Sequence, residues 1–340
     1  MERINISRWS LVGRCMIYDV WCMVRATKLQ KYIIHHISYI LIIFLLSACS
    51  KKMDTAFEGK ITISSDESLQ PMLDQVYQAY EHTFPQTHFR VLYKPQTEAI
   101  GLLLNDTAHV VFTTREFTQT EYKTLTDKGI RYNAQHIATD GVALIVKRQN
   151  ADSLVTVREL EEIFTGKISN WSQLKNSGRI GKIDLIFDNA NASNLDYFVR
   201  KFNLKNVKHL NISAAGSNQK VIEYVKTNGN AIGFIGVSWI SDGEAPLTAS
   251  LSRGLQVLGV ADKENPTRAD YYQPFQANLR QRTYPLRRKV YAFSREMYSG
   301  LGNGLVNYIM RDVGGLVIEK CGLWPTKPYN REIILTKENL

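Results

Sequence analysis

The chain has 340 residues, of which 44% are hydrophobic, and its formal net charge is +10. The length suggests two domains of about 150 residues each, and the hydrophobic fraction is that of a globular protein. Six Lys/Arg and two acidic residues fall in residues 1–48, so the remainder is only mildly basic. With no concentrated basic stripe and no interleaved aromatic residues, the composition argues against nucleic-acid binding.

Residues 1–48 have the layout of a secretory leader. An apolar run over roughly residues 37–46 is too short to span a bilayer as a mature helix, and two lysines precede it. A charged region, a short apolar region and small residues in this order predict a signal peptide. Met23 is a more normal start for that peptide than Met1.

The leader ends in "LSAC", residues 46–49, which resembles a bacterial lipobox. The resemblance implies cleavage before Cys49 and a lipid on its sulfur, with residues 49–58 as a polar tether to a membrane. An ordinary signal peptide followed by a chance cysteine is the alternative.

Cys321 remains once Cys15 and Cys22 are assigned to the leader and Cys49 to the lipid. A lone thiol cannot form an intramolecular disulfide. No CxxC pair or His/Cys cluster suggests a metal site, so the sequence predicts neither a metal nor a cofactor.

The rest of the chain alternates strand and helix patterns in order. Period-2 and continuous apolar runs predict strands at 59–65, 89–94, 109–114, 141–147, 182–187, 231–237, near 254–260, 287–294 and 331–335. Helical spacing and capping residues predict helices from Leu69 to "FPQTH", at 98–106, after Thr118, at 156–166, after Ser193, at 216–230 and at 304–322.

This alternation predicts an α/β protein, with two sheets that carry helices on both faces. Ligands of such folds bind where loops leave the carboxyl ends of strands. Several of these loops, among them "DNANASN" at 188–194, open helices with polar residues. Unpaired backbone N–H groups at a helix start attract anions.

Several segments resemble one family. They are "GKITISSDESLQPMLDQVYQAYEHTFP", "TTREFTQTEY", "ATDGVALIVKRQNADSLVTVRELEEIFTGKISNW", "NAIGFIGVSWI" and "YPLRRKVYAFSREMYSGLGNGLVNYIMRDVGGLVIEKCGLWP". Together they are similar to the substrate-binding lipoproteins of phosphate ABC transporters, in the branch found in Bacteroidetes-type bacteria. The resemblance runs from about Gly59 to Tyr329.

The resemblance implies a two-lobed periplasmic-binding-protein fold, type II-like and closing in the manner of a Venus flytrap. Each lobe would be a sheet flanked by helices. One lobe would comprise residues 59–138 plus about 255–340, and the other residues 139–254.

The family's ligand site carries over onto turns that follow the predicted strands. In the first lobe, these turns supply Ser65 and Ser68, then Thr97, then Thr114 and Arg115. The arginine would meet an anion with bidentate geometry. A surface carboxylate is its alternative partner, and the serines can also cap helices.

Asp140 matches the acidic residue that precedes a strand of the family's second lobe. It would accept the proton of a protonated anion, pair with Arg115, or cap a hinge. The loop "NANASN" replaces the family's "SGT", which leaves Ser193 as the hydroxyl match and Asn189 and Asn191 as amide donors.

Acidic residues near these turns depart from the family pattern. Asp66 and Glu67 follow the first strand, and Glu98 follows the second. Carboxylates beside a dianion raise its energy unless other groups offset them. Three explanations are open for these acidic side chains: they point outward, one is held by Arg115, or the pocket prefers a different ligand.

The resemblance therefore implies a monomeric, lipid-anchored solute-binding protein on the periplasmic side of the envelope. It would capture inorganic phosphate or a similar oxyanion for an ABC permease and its ATPase. The alternative is a surface lipoprotein of the same fold that acts as a sensor or interaction module. No nucleophile with a base and no metal cluster indicates an enzyme.

Overall fold

The computed structural model describes residues 53–148, 153–175, 177–241 and 251–329. The predicted signal peptide, the lipid site at Cys49 and the predicted strand at 331–335 lie outside these ranges. Within them, each helix is too short or too polar to cross a membrane.

Strands and helices alternate along the described chain. The strands are β1 Gly59–Asp66, β2 Thr87–Lys94, β3 Val110–Thr113, β4 Asn133–Lys147, β5 Leu154–Thr156, β6 Asp184–Phe187, β7 Ile212–Ala214, β8 Ala231–Gly236, β9 Leu255–Val257, β10 Gly259–Ala261, β11 Arg287–Ser294 and β12 Trp324–Pro325. The α-helices are α1 Gln70–Thr83, α2 Gln96–Leu104, α3 Gln119–Asp127, α4 Val157–Phe164, α5 Ser193–Lys201, α6 Asn218–Thr227, α7 Gln276–Arg280, α8 Leu301–Ile309 and α9 Asp312–Lys320.

Two predicted elements are each divided in the structure. The predicted helix 304–322 is the pair α8 and α9. Gly314 lets α9 start close to α8, because a Cβ there would overlap the Tyr308 carbonyl oxygen. The predicted strand near 254–260 is the pair β9 and β10, which have different partners, β4 and β5.

The main sheet is one path of paired strands, β2-β1-β3-β11-β4-β8-β6-β7, so the two predicted sheets are joined. We call β2, β1 and β3 the first half-sheet, and β8, β6 and β7 the second; β11 and β4 lie between them. The long strand β4 pairs antiparallel with β11 along its first part and with β8 and β9 along its second. Strands β4 and β11 therefore connect the two halves.

Helices cover both faces of each half-sheet, since side chains alternate along a strand. Helices α1, α8 and α9 pack on one face of the first half-sheet, and α2 and α3 on the other. Helices α4 and α5 pack on one face of the second half-sheet, and α6 on the other. This architecture confirms the predicted α/β class.

Residues 255–286 pack with the second half-sheet. Leu258 and Tyr284 belong to the same buried cluster as Leu144, and the Tyr284 hydroxyl donates to the Val142 carbonyl at 2.6 Å. The lobe boundaries stay a prediction, and this packing favours assigning 255–286 to the second lobe.

We expect Phe234→Ala to lower the free energy of unfolding by about 3–5 kcal/mol, because it opens a cavity among buried rings. Phe234 is fully buried, and its ring lies 4.6 Å from Phe187 and 5.7 Å from Phe164. Urea denaturation followed by fluorescence measures the loss. Phe275, which is 63% exposed, is the matched control: a similar loss from Phe275→Ala would contradict this account.

Candidate functional site

Arg288 on β11 is the centre of a buried polar cluster between the half-sheets. Its Nη2 lies 2.8 Å from Asp140 Oδ2 on the neighbouring strand β4. The guanidinium also donates to Ser68 Oγ at 2.9 Å and to Ser193 Oγ at 3.2 Å, and it reaches Thr114 Oγ1 at 3.5 Å. One guanidinium therefore contacts hydroxyl groups of residues that follow β1, β6 and β3.

The turn Glu67–Leu69 after β1 brings the predicted ligand Ser68 into contact with Asp66. The Asp66 carboxylate accepts hydrogen bonds from the Ser68 backbone N–H at 3.3 Å and the Ser68 hydroxyl at 2.8 Å. Ser65 instead donates to the Asp66 backbone carbonyl at 3.0 Å. Ser68 therefore belongs to the Arg288 cluster, while the Ser65 hydroxyl is used by the backbone.

Ser193 brings the second half-sheet into this cluster. It is the first residue of α5 and is 1% exposed. Its hydroxyl donates to Ser68 Oγ at 3.2 Å. The preceding residue, Ala192, has no side chain that could cap the helix. The serine hydroxyl is thus engaged between the two half-sheets.

Gly236 and Trp239 allow the half-sheets to approach each other. A Cβ on Gly236 would lie 2.8 Å from the Ser68 carbonyl oxygen and 3.3 Å from Arg288 Nη2. The Trp239 indole N–H donates to that same carbonyl at 3.1 Å. A side chain at position 236 would therefore displace the Ser68 turn.

Thr114 and Thr97 differ in their surroundings. Thr114 is buried, and both its backbone N–H and its hydroxyl donate to Gln96 Oε1, at 2.7 and 2.8 Å. Thr97 is exposed in the first turn of α2. Of these two predicted ligands, Thr114 lies in the cluster and Thr97 does not.

Arg115 is buried but forms ion pairs with carboxylates of the protein. Its two Nη atoms lie 2.7 and 2.8 Å from the Glu121 carboxylate oxygens, and its Nε lies 3.6 Å from Asp196 on α5. Glu121 also forms a capping box with Thr118. The guanidinium thus has the alternative partner named from the sequence, a carboxylate.

Asp140 pairs with Arg288 rather than with Arg115. It is 1% exposed, and its Oδ1 accepts the Val237 backbone N–H at 3.2 Å. Adjacent antiparallel strands hold the pair in place, because residues 140 and 288 are direct neighbours across β4 and β11. Of the alternatives named for Asp140, the ion pair with Arg115 is therefore not formed, because its partner is Arg288.

The amide side chains of the 188–194 loop lie at the edge of the site. Asn189 Nδ2 donates to Glu67 Oε2 at 3.3 Å across the two half-sheets. Asn191 is exposed, and its backbone N–H donates to Asn189 Oδ1 at 2.9 Å. The loop contributes one amide contact between the half-sheets, and Asn191 helps to shape the loop.

Asp188 is a buried carboxylate that the sequence reasoning did not consider. It is 1% exposed, and Asn218 Nδ2 donates to its Oδ2 at 3.3 Å, while its Oδ1 has no hydrogen-bond partner within the described ranges. Burial, together with the charges of Asp66 and Glu67, raises the pKa of Asp188 to about 7. Burial also raises the pKa of Asp66, against the opposing charge of Arg288.

Arg288 and Gln96 are the contacts that the sequence reasoning missed. Alternation along β11 buries Arg288 and leaves its neighbour Lys289 exposed. The signal that could have identified Arg288 was a charged residue at a position where strand alternation predicts a buried side chain. Nothing in the local sequence identified Gln96 as a partner of Thr114.

No group of three or more His, Cys, Asp or Glu side chains is placed to hold a metal ion in the part of the chain that the structure describes. The chemistry on offer there is hydrogen bonding by a guanidinium, hydroxyls and backbone N–H groups. Such donors suit an oxyanion.

Two half-sheets, each covered by helices, with a polar cluster between them define a two-lobed periplasmic-binding-protein fold. A family model described as a PBP superfamily domain matches residues 52–313. The chain belongs to this superfamily.

Relatives and solved structures agree with this assignment. The phosphate-binding protein PstS 2 of Streptococcus agalactiae serotype V is 28% identical over 116 residues, which are 34% of this chain and 38% of the relative. Protein SphX of Synechococcus elongatus is 24% identical over 209 residues, or 59% of this chain and 58% of the relative. The matches thus span less than two thirds of these relatives' lengths.

An ABC-type phosphate transport receptor from Vibrio cholerae has a similar fold, with a TM-score of 0.57 and 21% identity. The similarity covers 78% of this chain and 99% of the receptor. It confirms the predicted two-lobed fold.

We expect Asp188→Asn to stabilise the protein by about 1–3 kcal/mol at pH 8, with the gain shrinking as the pH falls from 7 towards 4. A carboxyl whose folded pKa is raised to about 7 binds a proton more tightly when folded, so its stabilising contribution is lost as the pH rises through that value. Urea denaturation at several pH values measures the trend. The exposed Asp127 at the end of α3 provides the control Asp127→Asn, and an equal pH trend in both variants would contradict this prediction.

Proposed function

We propose that this protein binds inorganic phosphate, or a similar tetrahedral oxyanion, between its two lobes. The observation that supports this most directly is the convergence of Arg288 with the hydroxyls of Ser68, Ser193 and Thr114. Guanidinium and hydroxyl groups bind oxyanions through charge-assisted hydrogen bonds. Because these groups come from both half-sheets, one small anion would contact both lobes.

The direct ligands in this proposal are Ser68, Thr114 and Ser193, with Arg288 supplying the positive charge. The other candidates stay predicted ligands: Ser65, Thr97, Asn189 and Asn191. Asp140 would orient the guanidinium, since it holds Nε and Nη2 and leaves Nη1 for other acceptors.

Closure of the lobes would couple binding to transport. A ligand shifts a protein towards the conformation that it contacts best, and hinge closure about a few strands is a common form of this change. Strands β4 and β11 are suited to that role, because they lie between the two half-sheets and pair with each other. The closed, loaded form would then dock on the permease.

The partners follow from the same proposal. A monomer, held on the periplasmic side of the envelope by the lipid on Cys49, would pass its anion to an ABC permease driven by an ATPase. The mature protein would act by binding and release, without catalysis. The tether at 49–58 would give it reach along the membrane.

A sensor or interaction module of the same fold is the second candidate. The buried carboxylates of Asp66 and Asp188 favour it, because they oppose a dianion at neutral pH. Titration of the purified protein with phosphate, sulfate and molybdate separates the two functions. No binding of any of them at millimolar concentration, across pH 5–8, would overturn the proposed solute-binding function.

We expect Ser193→Ala to weaken anion binding roughly 10- to 150-fold, because it removes a hydrogen bond to a charged group worth about 1.5–3 kcal/mol. Isothermal titration calorimetry with phosphate measures the change. Ser213 lies exposed on β7, so Ser213→Ala should leave the affinity unchanged. Equal affinities for the wild type and Ser193→Ala would remove Ser193 from the site.

The predicted contact of Arg115 with the anion has its own test. If Arg115 is a ligand, Arg115→Ala should lower the affinity by about 1.5–3 kcal/mol, the worth of hydrogen bonds to a charged group. Glu121→Gln serves as the control, because it weakens the Arg115 ion pair while keeping the guanidinium. An unchanged affinity in Arg115→Ala would show that the guanidinium serves only its ion pairs with Glu121 and Asp196.

A further inference from the structure

The Asp66 carboxylate occupies the donors that an incoming oxyanion would use. It accepts from the Ser68 backbone N–H and hydroxyl, and it faces the Ser193 hydroxyl and the Arg288 guanidinium. It is 1% exposed. A backbone N–H, two hydroxyls and an arginine thus surround an anion that belongs to the chain itself.

The charges around Asp66 come from every element that meets at the site. Arg288 on β11, Arg115 after β3 and the exposed Lys94, which neighbours Asp66 on β2, are cations. Asp140 on β4, Asp188 after β6 and the adjacent Glu67 are acidic. Arg288 is already paired with Asp140, and Arg115 with Glu121. A second full negative charge beside Asp66 would therefore meet little uncompensated positive charge.

We propose that Asp66 is an internal anion that competes with the external oxyanion, so that binding requires Asp66 to take up a proton. Protonated Asp66 would no longer hold Ser68 and Ser193 as an anion does, and its O–H could donate to the ligand. The site would therefore select its ligand together with a proton. This inference rests on the proposed oxyanion function and adds a residue that determines its specificity.

The simpler role of Asp66 is to cap the turn Glu67–Leu69. Asparagine caps as well as aspartate does, so Asp66→Asn keeps this role and removes only the charge. A structural role alone predicts unchanged anion affinity in that variant. Urea denaturation of both proteins checks that the fold is retained.

The test is calorimetric titration with sulfate, which keeps its charge between pH 5 and 8, and then with phosphate. We expect the wild-type affinity for sulfate to fall by up to tenfold for each pH unit as the pH rises. Asp66→Asn should bind sulfate at least tenfold more tightly than the wild type at pH 8, with little dependence on pH. Glu161, exposed on α4, gives the control Glu161→Gln, which should behave as the wild type.

Each other result decides between the two ideas. The internal anion is overturned if the wild-type affinity for sulfate does not depend on pH. It is also overturned if Asp66→Asn weakens that affinity or leaves it unchanged. In both cases the proposed function still stands. A pH dependence that disappears in Asp188→Asn but persists in Asp66→Asn also overturns it, because Asp188 is then the titrating group. If Asp66→Asn binds the anion and the wild type does not, the result supports the internal anion and contradicts oxyanion capture by the native chain. Absence of binding in both proteins overturns both.

Discussion

The buried ion pair between Arg288 and Asp140 is the interaction on which the rest of the site depends. Each residue lies on one of the two strands that join the half-sheets, and the ladder between them fixes the pair. Removing one partner from a buried pair leaves an uncompensated charge, at a cost of about 3–5 kcal/mol. With Asp140 holding one side of the guanidinium, the other side is free to gather Ser68 and Ser193 from opposite halves.

Other contacts also hold the two halves close together. Trp239 and Asn189 each donate across the junction, and a side chain at position 236 would separate the halves. The polar groups there are nearly all satisfied by one another, as buried polar groups must be. In the proposed site, an oxyanion would enter by replacing such internal bonds, which would tie its affinity to the groups that it displaces. The acidic side chains at the junction would make protonation part of that proposed exchange.

Much of the fold could be predicted, because periodicity and capping are local properties. The strand at 287–294 and the helix that begins after Thr118 are confirmed. The division of 304–322 into two helices was not foreseen, since it depends on how Gly314 fits against Tyr308. The site was harder: three of the predicted ligands, Ser68, Thr114 and Ser193, lie in one cluster, but their shared partner Arg288 was not predicted.

The α/β class, the family and the turns at which polar side chains leave the strands can all be predicted from the sequence, because each depends on residues close together in the chain. Which charges pair, by contrast, depends on the three-dimensional fold. Asp140 and Arg288 are separated by 148 positions, and Asp66 and Arg288 meet only when β1 and β11 lie in one sheet. Coulomb energies depend on distance and burial in three dimensions. The role of the acidic turn after β1, which the sequence left open, therefore depends on Arg288, which the fold places beside it.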